Sequence, residues 1–249
     1  MDKLLHISAP PWHGIGRKIE SLVRKAIFDF DLLEEAPRIG VALSGGKDSL
    51  SLLYILHAIS GRGVPHFDLH AFHVSGAFSC GASIDSGYLS AVCKALEVPL
   101  IVKHSEQKLE TLECYSCSRI RRKLLFEAAK EANCKHIAFG HHLDDHVETT
   151  MLNLLHKGEF KGNLPKVPMH MYGVTITRPL FYVEESSIRS FAEQEGFARI
   201  TCQCPVGQRS KRRSAKELVK QCEEIFPNAR KNLARAAMMY GSKGALKCN

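Results

Sequence analysis

The feature that most restricts the possible folds is an apolar segment that runs directly into a glycine-rich turn and then a helix. Residues 38–43 (Arg-Ile-Gly-Val-Ala-Leu) are typical of a buried strand, and residues 50–59 are typical of an apolar helix. Between them stands Ser-Gly-Gly-Lys-Asp-Ser, residues 44–49. Ligands of open α/β sheets bind where such strands end, so this segment predicts a parallel sheet with a binding site at its edge.

Strand and helix patterns alternate along most of the chain. Further strands are predicted at 67–74, 100–103, 135–139 and 175–178. Helices are predicted at 15–33, 86–96, 118–133, from the turn at 140–145 to about 155, at 184–195 and from about 212. Residues 157–175 are rich in Gly, Pro and Lys and predict a loop or short hairpin. This order predicts an α/β, Rossmann-like fold with a parallel sheet and helices on both faces. We expect residues 1–160 to form the nucleotide-binding domain and residues 161–249 a small basic C-terminal segment.

The turn at residues 44–49 has the composition of a phosphate site. Its two glycines let the backbone approach an anion, and the N–H groups of the following helix point at it. It is not a Walker A loop, because Val41 replaces that motif's first glycine and Asp48 follows Lys47 where the motif has Ser or Thr. Asp48 suits Mg²⁺ held against phosphates, and Lys47 would stabilise their charge. The predicted nucleotide contacts are Ala42, Ser44, Gly45, Gly46, Lys47, Asp48 and Ser49.

A second acidic turn follows a later strand. Gly140-His-His-Leu-Asp-Asp145 ends the strand at 135–139 and opens a helix, which places it at the same sheet edge as the first turn. Adjacent carboxylates at a helix start also act as caps, and that interpretation needs no ligand. Beside a phosphate loop we favour a second ligand site, with Asp145 joining Asp48 in holding Mg²⁺.

The nine cysteines are partly clustered. Cys114 and Cys117 form a Cys-x-x-Cys pair, and Cys202 and Cys204 form a Cys-x-Cys pair followed by proline. The N-terminus lacks the features of a secretion signal. In a reducing compartment such pairs bind zinc or iron–sulfur clusters, or act as redox dithiols, and the residues alone leave these uses open.

Positive charge is concentrated in the C-terminal part of the chain. The net charge is +8; residues 1–150 carry 17 Lys/Arg and 18 Asp/Glu, whereas residues 151–249 carry 17 and 8. The densest run includes Lys211, Arg212 and Arg213. Such a run either neutralises phosphates or is only a solvated helix face. We predict that it binds RNA, together with Arg121 and Arg122, which follow the first cysteine pair.

Three motifs carry a resemblance to a known family. The Ser-Gly-Gly-Lys-Asp-Ser turn resembles the signature of the PP-loop, or N-type ATP pyrophosphatase, superfamily, whose members split ATP into AMP and pyrophosphate. The Gly-His-His-x-Asp-Asp turn resembles an element of its tRNA-modifying members, which implies that Gly140, His141, Asp144 and Asp145 contact ATP and Mg²⁺. With the cysteine pairs and Arg178-Pro-Leu added, residues 15–240 resemble the tRNA 2-thiocytidine biosynthesis family.

This resemblance implies a reaction and a cofactor. ATP would adenylate the C2 oxygen of an anticodon-loop cytidine, expected at nucleotide 32, and sulfur would displace AMP. The expected catalytic residues are Asp48, Lys47 and Asp145. The resemblance implies a [4Fe–4S] cluster on Cys114, Cys117 and Cys204 with one iron open. Cys202 is the alternative third ligand, because the late cysteine motif departs from Cys-x-x-Cys.

Other functions share parts of this pattern. A tRNA(Ile)-lysidine synthetase-like ligase or a 2-thiouridine synthetase-like enzyme would use the same ATP turns, and an iron-sensing tRNA-binding protein would need no turnover. No apolar run is long enough for a membrane span, so we expect a cytoplasmic protein without a membrane partner. The expected partners are tRNA and a sulfur donor such as a cysteine desulfurase; the sequence leaves the oligomeric state open, with a homodimer as one option.

Overall fold

A computed structural model describes residues 10–34, 36–76, 86–106, 114–197 and 211–241. The helices are α1 (Gly14–Asp29), α2 (Lys47–Ile59), α3 (Ser86–Ala95), α4 (Cys114–Glu131), α5 (Leu143–Lys157), α6 (Glu185–Gln194), α7 (Lys211–Ile225) and α8 (Ala229–Tyr240). The strands are β1 (Arg38–Ala42), β2 (Asp68–Ser75), β3 (Leu100–His104), β4 (His136–Ala138), β5 (Lys166–Met169) and β6 (Val174–Thr177).

The strands of the described residues form a six-stranded sheet in the order β3-β2-β1-β4-β6-β5. Neighbouring strands are parallel except for β5, which is antiparallel to β6. β1 lies in the interior of the sheet, and Ile39, Gly40 and Val41 are buried, as expected for a strand covered on both faces. The predicted α/β fold is confirmed.

Helices pack on both faces of the sheet. One buried cluster joins Val41 of β1 to residues of α1, α2, α3 and α6. Another joins Phe72 of β2 and Ile137 of β4 to Phe126 of α4, with Ala42 of β1 packed against it. Side chains alternate along a strand, so the successive residues Val41 and Ala42 face the two different clusters.

The sheet continues beyond residue 160. The segment predicted to be a loop or short hairpin contains β5 and a 3₁₀ turn at His170–Tyr172 that leads into β6. Pro168 of β5 has no N–H to donate to a ladder, which is tolerated because β5 is an edge strand. The division of the chain into 1–160 and 161–249 stays a prediction.

The basic C-terminal part forms two helices rather than one continuous stretch. α7 and α8 are separated around Pro227, a residue that disfavours continuation of a helix. Ala215 and Val219 of α7 and Ala234 of α8 are buried in a cluster with Val147 of α5. Because α5 begins at the carboxyl edge of the sheet, this packing brings the basic helices to that edge. Within the described ranges, no helix is long and apolar enough to cross a membrane.

Candidate active site

The turn after β1 forms a cradle of backbone amides. Gly45 has a φ of 81°, a left-handed conformation that favours glycine. The Ser49 hydroxyl accepts the amides of Ser44 at 3.2 Å and Gly45 at 3.1 Å, and donates to the Gly46 carbonyl at 3.0 Å. Gly46 is the N-cap of α2 and offers no side chain to the first amides of the helix. The first amides of α2 therefore have no acceptor within the turn and can bind an anion, so the turn is preformed for a phosphate.

The turn after β4 lies against the first turn of α2. A Cβ atom on Gly140 would be 3.0 Å from the carbonyl carbon of Asp48 and 3.1 Å from the nitrogen of Ser49. Both neighbours are backbone atoms, which cannot rotate away as a side chain can. Glycine therefore favours this close approach, and the two predicted turns lie side by side.

His142 joins the carboxylates of the two turns. As the N-cap of α5, it accepts the Asp145 amide on Nδ1 at 3.4 Å, and its own amide donates to Asp145 Oδ2 at 3.1 Å. Its Nε2 lies 3.7 Å from Asp48 Oδ1 and 3.5 Å from Asp145 Oδ2. No ligand role was predicted for His142, and the structure places the two predicted magnesium ligands near the same nitrogen of its imidazole.

Asp48 and Asp145 fit a Mg²⁺ ion that arrives with a nucleotide. Among the residues that the structure describes, no three His, Cys, Asp or Glu side chains are arranged to hold a metal by themselves. Mg²⁺ does not need such a cage, because it usually binds one or two carboxylates and takes its other ligands from phosphates and water. Two carboxylates beside the phosphate cradle meet this requirement.

Asp144 connects the site to two other helices. Its Oδ2 accepts the Glu185 amide at 2.7 Å at the start of α6, and its Oδ1 pairs with Arg230 of α8. The side chain is buried, and both oxygens are engaged within the protein. The predicted contact of Asp144 with ATP stays a prediction. So does that of Ala42, which is half-buried at the end of β1.

The half-buried His141 and the buried Arg178 form a pair beside these turns. Arg178 follows β6; its Nε donates to His141 Nδ1 at 3.3 Å, and its Nη1 donates to the Leu164 carbonyl. Burial and the Arg178 charge lower the pKa of His141 to about 3, so this imidazole is neutral near pH 7. Burial, aided by the charge of Arg122, lowers the pKa of Arg178 to about 10. In the sequence analysis Arg178 is only part of the motifs that carry the family resemblance, and no role was predicted for it.

Glu185 is a functional candidate that the sequence analysis missed. It begins α6, and its carboxylate lies 3.1 Å from Lys47 Nζ and 2.6 Å from Lys216 Nζ. An acidic residue at a helix start is ordinary, so the sequence held no signal for this position. Burial raises the pKa of Glu185, but the hydrogen bond from Lys216 and the charge of Lys47 outweigh it and lower the pKa to about 2.

Glu148 was also missed. It is buried one turn into α5 and lies 3.6 Å from Arg212 Nε and 3.8 Å from Lys216 Nζ. Burial raises its pKa more than these two cations lower it. The spacing Asp144-x-x-x-Glu148 was the available signal, because residues four apart lie on the same face of a helix.

Arg212 closes a ring of charges around the two turns. Its Nη2 lies 2.6 Å from Asp145 Oδ1. In order, the members are Lys47, Glu185, Lys216, Glu148, Arg212, Asp145, His142 and Asp48, which returns to Lys47. We refer to this set as the charge ring. The longest separation between successive members is 3.8 Å, and carboxylates alternate with Lys, Arg or His throughout.

The other predicted RNA-binding residues lie on α4 and α7. Arg121 and Arg122 are on α4, and Lys211 and Arg213 are exposed at the start of α7. Arg212 lies between the latter two but pairs with Asp145. The structure therefore brings one member of the predicted RNA-binding run to the nucleotide turns.

The predicted cluster ligands are described only in part. α4 begins at Cys114, and Cys117 is half-buried in its first turn. The side chain of Cys114, and both Cys202 and Cys204, lie outside the described residues. The cluster site stays a prediction.

Comparison with known proteins agrees with the two turns. A family model of the PP-loop domain matches residues 13–212. A tRNA-cytidine(32) 2-sulfurtransferase from Syntrophotalea carbinolica is 37% identical over 235 residues, which covers 88% of each chain. A protein of the same name from Geobacter metallireducens is 36% identical over 228 residues, again 88% of each chain.

A solved structure shares the fold. The U34-tRNA thiolase NcsA from Methanococcus maripaludis, solved with its [4Fe-4S] cluster, matches with a TM-score of 0.75 at 24% identity, covering 90% of this chain and 78% of that chain. The resemblance drawn from the sequence motifs is confirmed. The chain belongs to the PP-loop domain family and, within it, to the family of the tRNA-cytidine(32) 2-sulfurtransferases.

Proposed function

We propose that this protein is an ATP-dependent tRNA sulfurtransferase that replaces the C2 oxygen of cytidine 32 with sulfur. The observation that carries the proposal is the 37% identity to a tRNA-cytidine(32) 2-sulfurtransferase over 88% of both chains. The two turns, which meet at Gly140 and are bridged by His142, provide a site for the ATP that such a reaction consumes.

The first half-reaction is adenylation of the base. The cytidine O2 attacks the α-phosphorus of ATP, and the bond to pyrophosphate breaks, with pyrophosphate taking the electron pair. The first backbone amides of α2 and the Lys47 ammonium would stabilise charge on the phosphate oxygens. Burial alone would lower the pKa of Lys47, but Asp48 and Glu185 raise it, so the ammonium stays charged. Asp48 and Asp145 would hold Mg²⁺, which neutralises phosphate charge.

The second half-reaction brings sulfur to the activated base. We propose that Cys114, Cys117 and Cys204 hold a [4Fe–4S] cluster, with Cys202 as the alternative third ligand. The solved U34-tRNA thiolase carries such a cluster, and the half-buried Cys117 in the first turn of α4 is compatible with a ligand. Three cysteine ligands would leave one iron open to sulfur. AMP leaves the base as the carbon–sulfur bond forms.

The substrate in this proposal is a tRNA anticodon loop. Arg121 and Arg122 on α4, and Lys211 and Arg213 on α7, would contact its phosphates, with the segment from residue 161 facing the tRNA. A cysteine desulfurase would supply sulfur, in the cytoplasm, and a homodimer is the candidate assembly. Replacing Lys211 and Arg213 together should lower the slope of log affinity against log salt by about one and a half to two units. An unchanged slope would show that the run is only a solvated surface.

Nucleoside mass spectrometry of cellular tRNA tests the function directly. Cells lacking the protein should lose 2-thiocytidine, and re-expression of the wild type, but not of Asp48→Asn, should restore it. Loss of lysidine or of a 2-thiouridine in place of 2-thiocytidine would assign the protein to a different tRNA modification and contradict the proposal.

The cluster requires a separate test. Protein purified without oxygen should contain iron and sulfide and absorb visible light, and Cys117→Ala should lose these properties. If Cys202→Ala loses the cluster while Cys204→Ala keeps it, the assigned third ligand is wrong. Stoichiometric zinc without iron would contradict the cluster and would leave a cysteine persulfide as the sulfur carrier.

A further inference from the structure

Arg212 forms an ion pair with Asp145, a carboxylate that the proposed function assigns to Mg²⁺. Its Nη2 lies 2.6 Å from Asp145 Oδ1, and its Nε lies 3.6 Å from Glu148 Oε2. The other oxygen of Asp145 accepts the His142 amide at 3.1 Å. Asp145 therefore has both oxygens engaged without any ligand. A metal ion can bind Asp145 Oδ1 only if Arg212 moves away or if both cations contact this oxygen.

We propose that Arg212 is a phosphate-binding residue of the ATP site. When Mg·ATP binds, Arg212 leaves Asp145 and pairs with phosphate oxygens. The inference rests on the ATP-binding part of the proposed function. An arginine displaced from a carboxylate by Mg²⁺ stays beside the other ligands of that ion, which are phosphate oxygens. The planar guanidinium can also bind two such oxygens at once.

The two turns show the same pairing, which supports the exchange. Asp48 of the first turn is paired with Lys47 at 2.8 Å, as Asp145 of the second turn is paired with Arg212. Lys47 is the expected phosphate contact of the first turn. Mg²⁺ bound to both carboxylates would release both cations together, and the triphosphate supplies the negative charge that they then lack. Arg212 would thus bind phosphate beside the second turn as Lys47 does beside the first.

Arg212 is free to make this exchange without disturbing the packed helices. Its side chain is 43% exposed, and it is the second residue of α7. Arg230 of α8 shows the opposite arrangement: it is 17% exposed, pairs with Asp144, and donates to both oxygens of Glu223 at 3.0 Å and 2.5 Å. Arg230 therefore holds its helix in place, whereas Arg212 can turn to a ligand.

Two dissociation constants measured on Arg212→Gln test the exchange. The affinity for ATP with Mg²⁺, measured by calorimetry, should weaken by about 10- to 100-fold, because a charge-assisted contact to phosphate is lost. The affinity for Mn²⁺ without nucleotide, measured by electron paramagnetic resonance, should tighten several-fold, because Asp145 loses its competing cation. Arg212→Lys should retain part of the ATP affinity, since it keeps the charge without the planar fork.

Lys220→Gln is the matched control, because Lys220 is an exposed residue of α7 outside the charge ring and its loss removes the same charge. Both of its affinities should equal those of the wild type. If Arg212→Gln weakens Mn²⁺ binding as well, Arg212 only holds the site together, and the exchange is wrong. Unchanged ATP affinity, or unchanged Mn²⁺ affinity, also overturns it.

A pure RNA contact at Arg212 would give a different pattern. Arg212→Gln would then weaken tRNA binding as Arg213→Gln does and leave ATP binding unchanged, which contradicts the inference. Neither dissociation constant depends on thiolation. If 2-thiocytidine were found to be independent of this protein, the exchange of Arg212 would still be tested by these two measurements.

Discussion

The turn after β1 and the turn after β4 lie at the same edge of the sheet, but they are held in different ways. In the first turn, the Ser49 hydroxyl accepts the amides of Ser44 and Gly45, residues only five and four positions away. These bonds involve no other element of the fold. The amide cradle therefore needs little beyond β1 and α2 to form.

The second turn depends on distant parts of the chain. Asp145 pairs with Arg212, which is 67 residues away, and Asp144 pairs with Arg230, which is 86 residues away. His141 accepts a hydrogen bond from Arg178, 37 residues away. The cap between His142 and Asp145 is local, but the partner of Asp145 Oδ1 is set by how α7 packs on α5, and the partner of Asp144 Oδ1 by the position of α8.

The two turns therefore have different proposed roles: the first binds phosphate, and the second controls the metal site. The first turn offers a preformed anion site, whereas the second turn responds to whatever moves the C-terminal helices. Because α7 also carries predicted tRNA contacts, we expect any effect of RNA binding on the nucleotide site to act through the second turn. Four substitutions examine this division.

The largest effect is expected at Asp48, where the two turns meet. Asp48→Asn keeps the size of the side chain but removes a predicted Mg²⁺ ligand and one member of the charge ring. Loss of several kcal/mol of transition-state stabilisation corresponds to a fall in turnover of about 1,000-fold or more. The rate of AMP and pyrophosphate release in the presence of tRNA measures it. ADP and phosphate as the main products of the wild type would contradict the proposed chemistry.

The contacts of Glu185 with Lys47 and Lys216, which are distant in sequence, should make the unfolding free energy depend on pH. Its pKa of about 2 in the folded protein lies below its ordinary value of 4.5, so the stabilisation is present above pH 4.5 and is lost as the pH falls towards 2. The whole difference corresponds to about 3 kcal/mol. Glu185→Gln should flatten the fall in unfolding free energy over this pH range, as measured by urea denaturation.

Glu217 provides the control for this titration. It is exposed on α7, outside the charge ring. Glu217→Gln should leave the acid dependence of the unfolding free energy unchanged. Equal effects of the two substitutions would mean that the fall in stability reflects the total charge of the protein and not the contacts of Glu185.

Gly140 tests the contact between the turns. In Gly140→Ala the new Cβ would lie 3.0 Å from the Asp48 carbonyl carbon, so one turn must shift, at a cost of about 1–3 kcal/mol. Gly46→Ala is the comparison, because its Cβ would meet only the Ser44 hydroxyl at an ordinary 3.5 Å. Thermal denaturation should show a larger fall in Tm for Gly140→Ala, because Gly46→Ala loses only the preference for glycine over alanine at an N-cap. Equal Tm values would show that the turns are not tightly packed.

The smallest effect is expected at Ser49, which acts only within the first turn. Ser49→Ala removes the acceptor of two amides, and each such hydrogen bond contributes about 1 kcal/mol. ATP affinity should fall by up to about 30-fold, while Mn²⁺ binding without nucleotide should stay unchanged. Weakened Mn²⁺ binding would show that the two turns are not held independently.

The sequence was sufficient for the first turn because its structure rests on short-range contacts. A buried strand, two glycines and a helix start are all visible within residues 38–59, and the Ser49 hydroxyl bonds to residues of the same turn. The common position of both turns also followed from the sequence, since the ends of parallel strands meet at one edge. The bridging role of His142 did not follow, because it depends on the distance between the turns.

The tertiary structure alone decided which charges meet. Charge pattern placed Arg212 in a basic run and predicted an RNA contact, but the packing of α7 on α5 brings it 2.6 Å from Asp145. Glu185 looked like any acidic residue at a helix start until the fold set it between Lys47 and Lys216. Ion pairs act over a few ångströms and are indifferent to sequence separation, so partners that lie on different helices are determined by helix packing and not by local pattern.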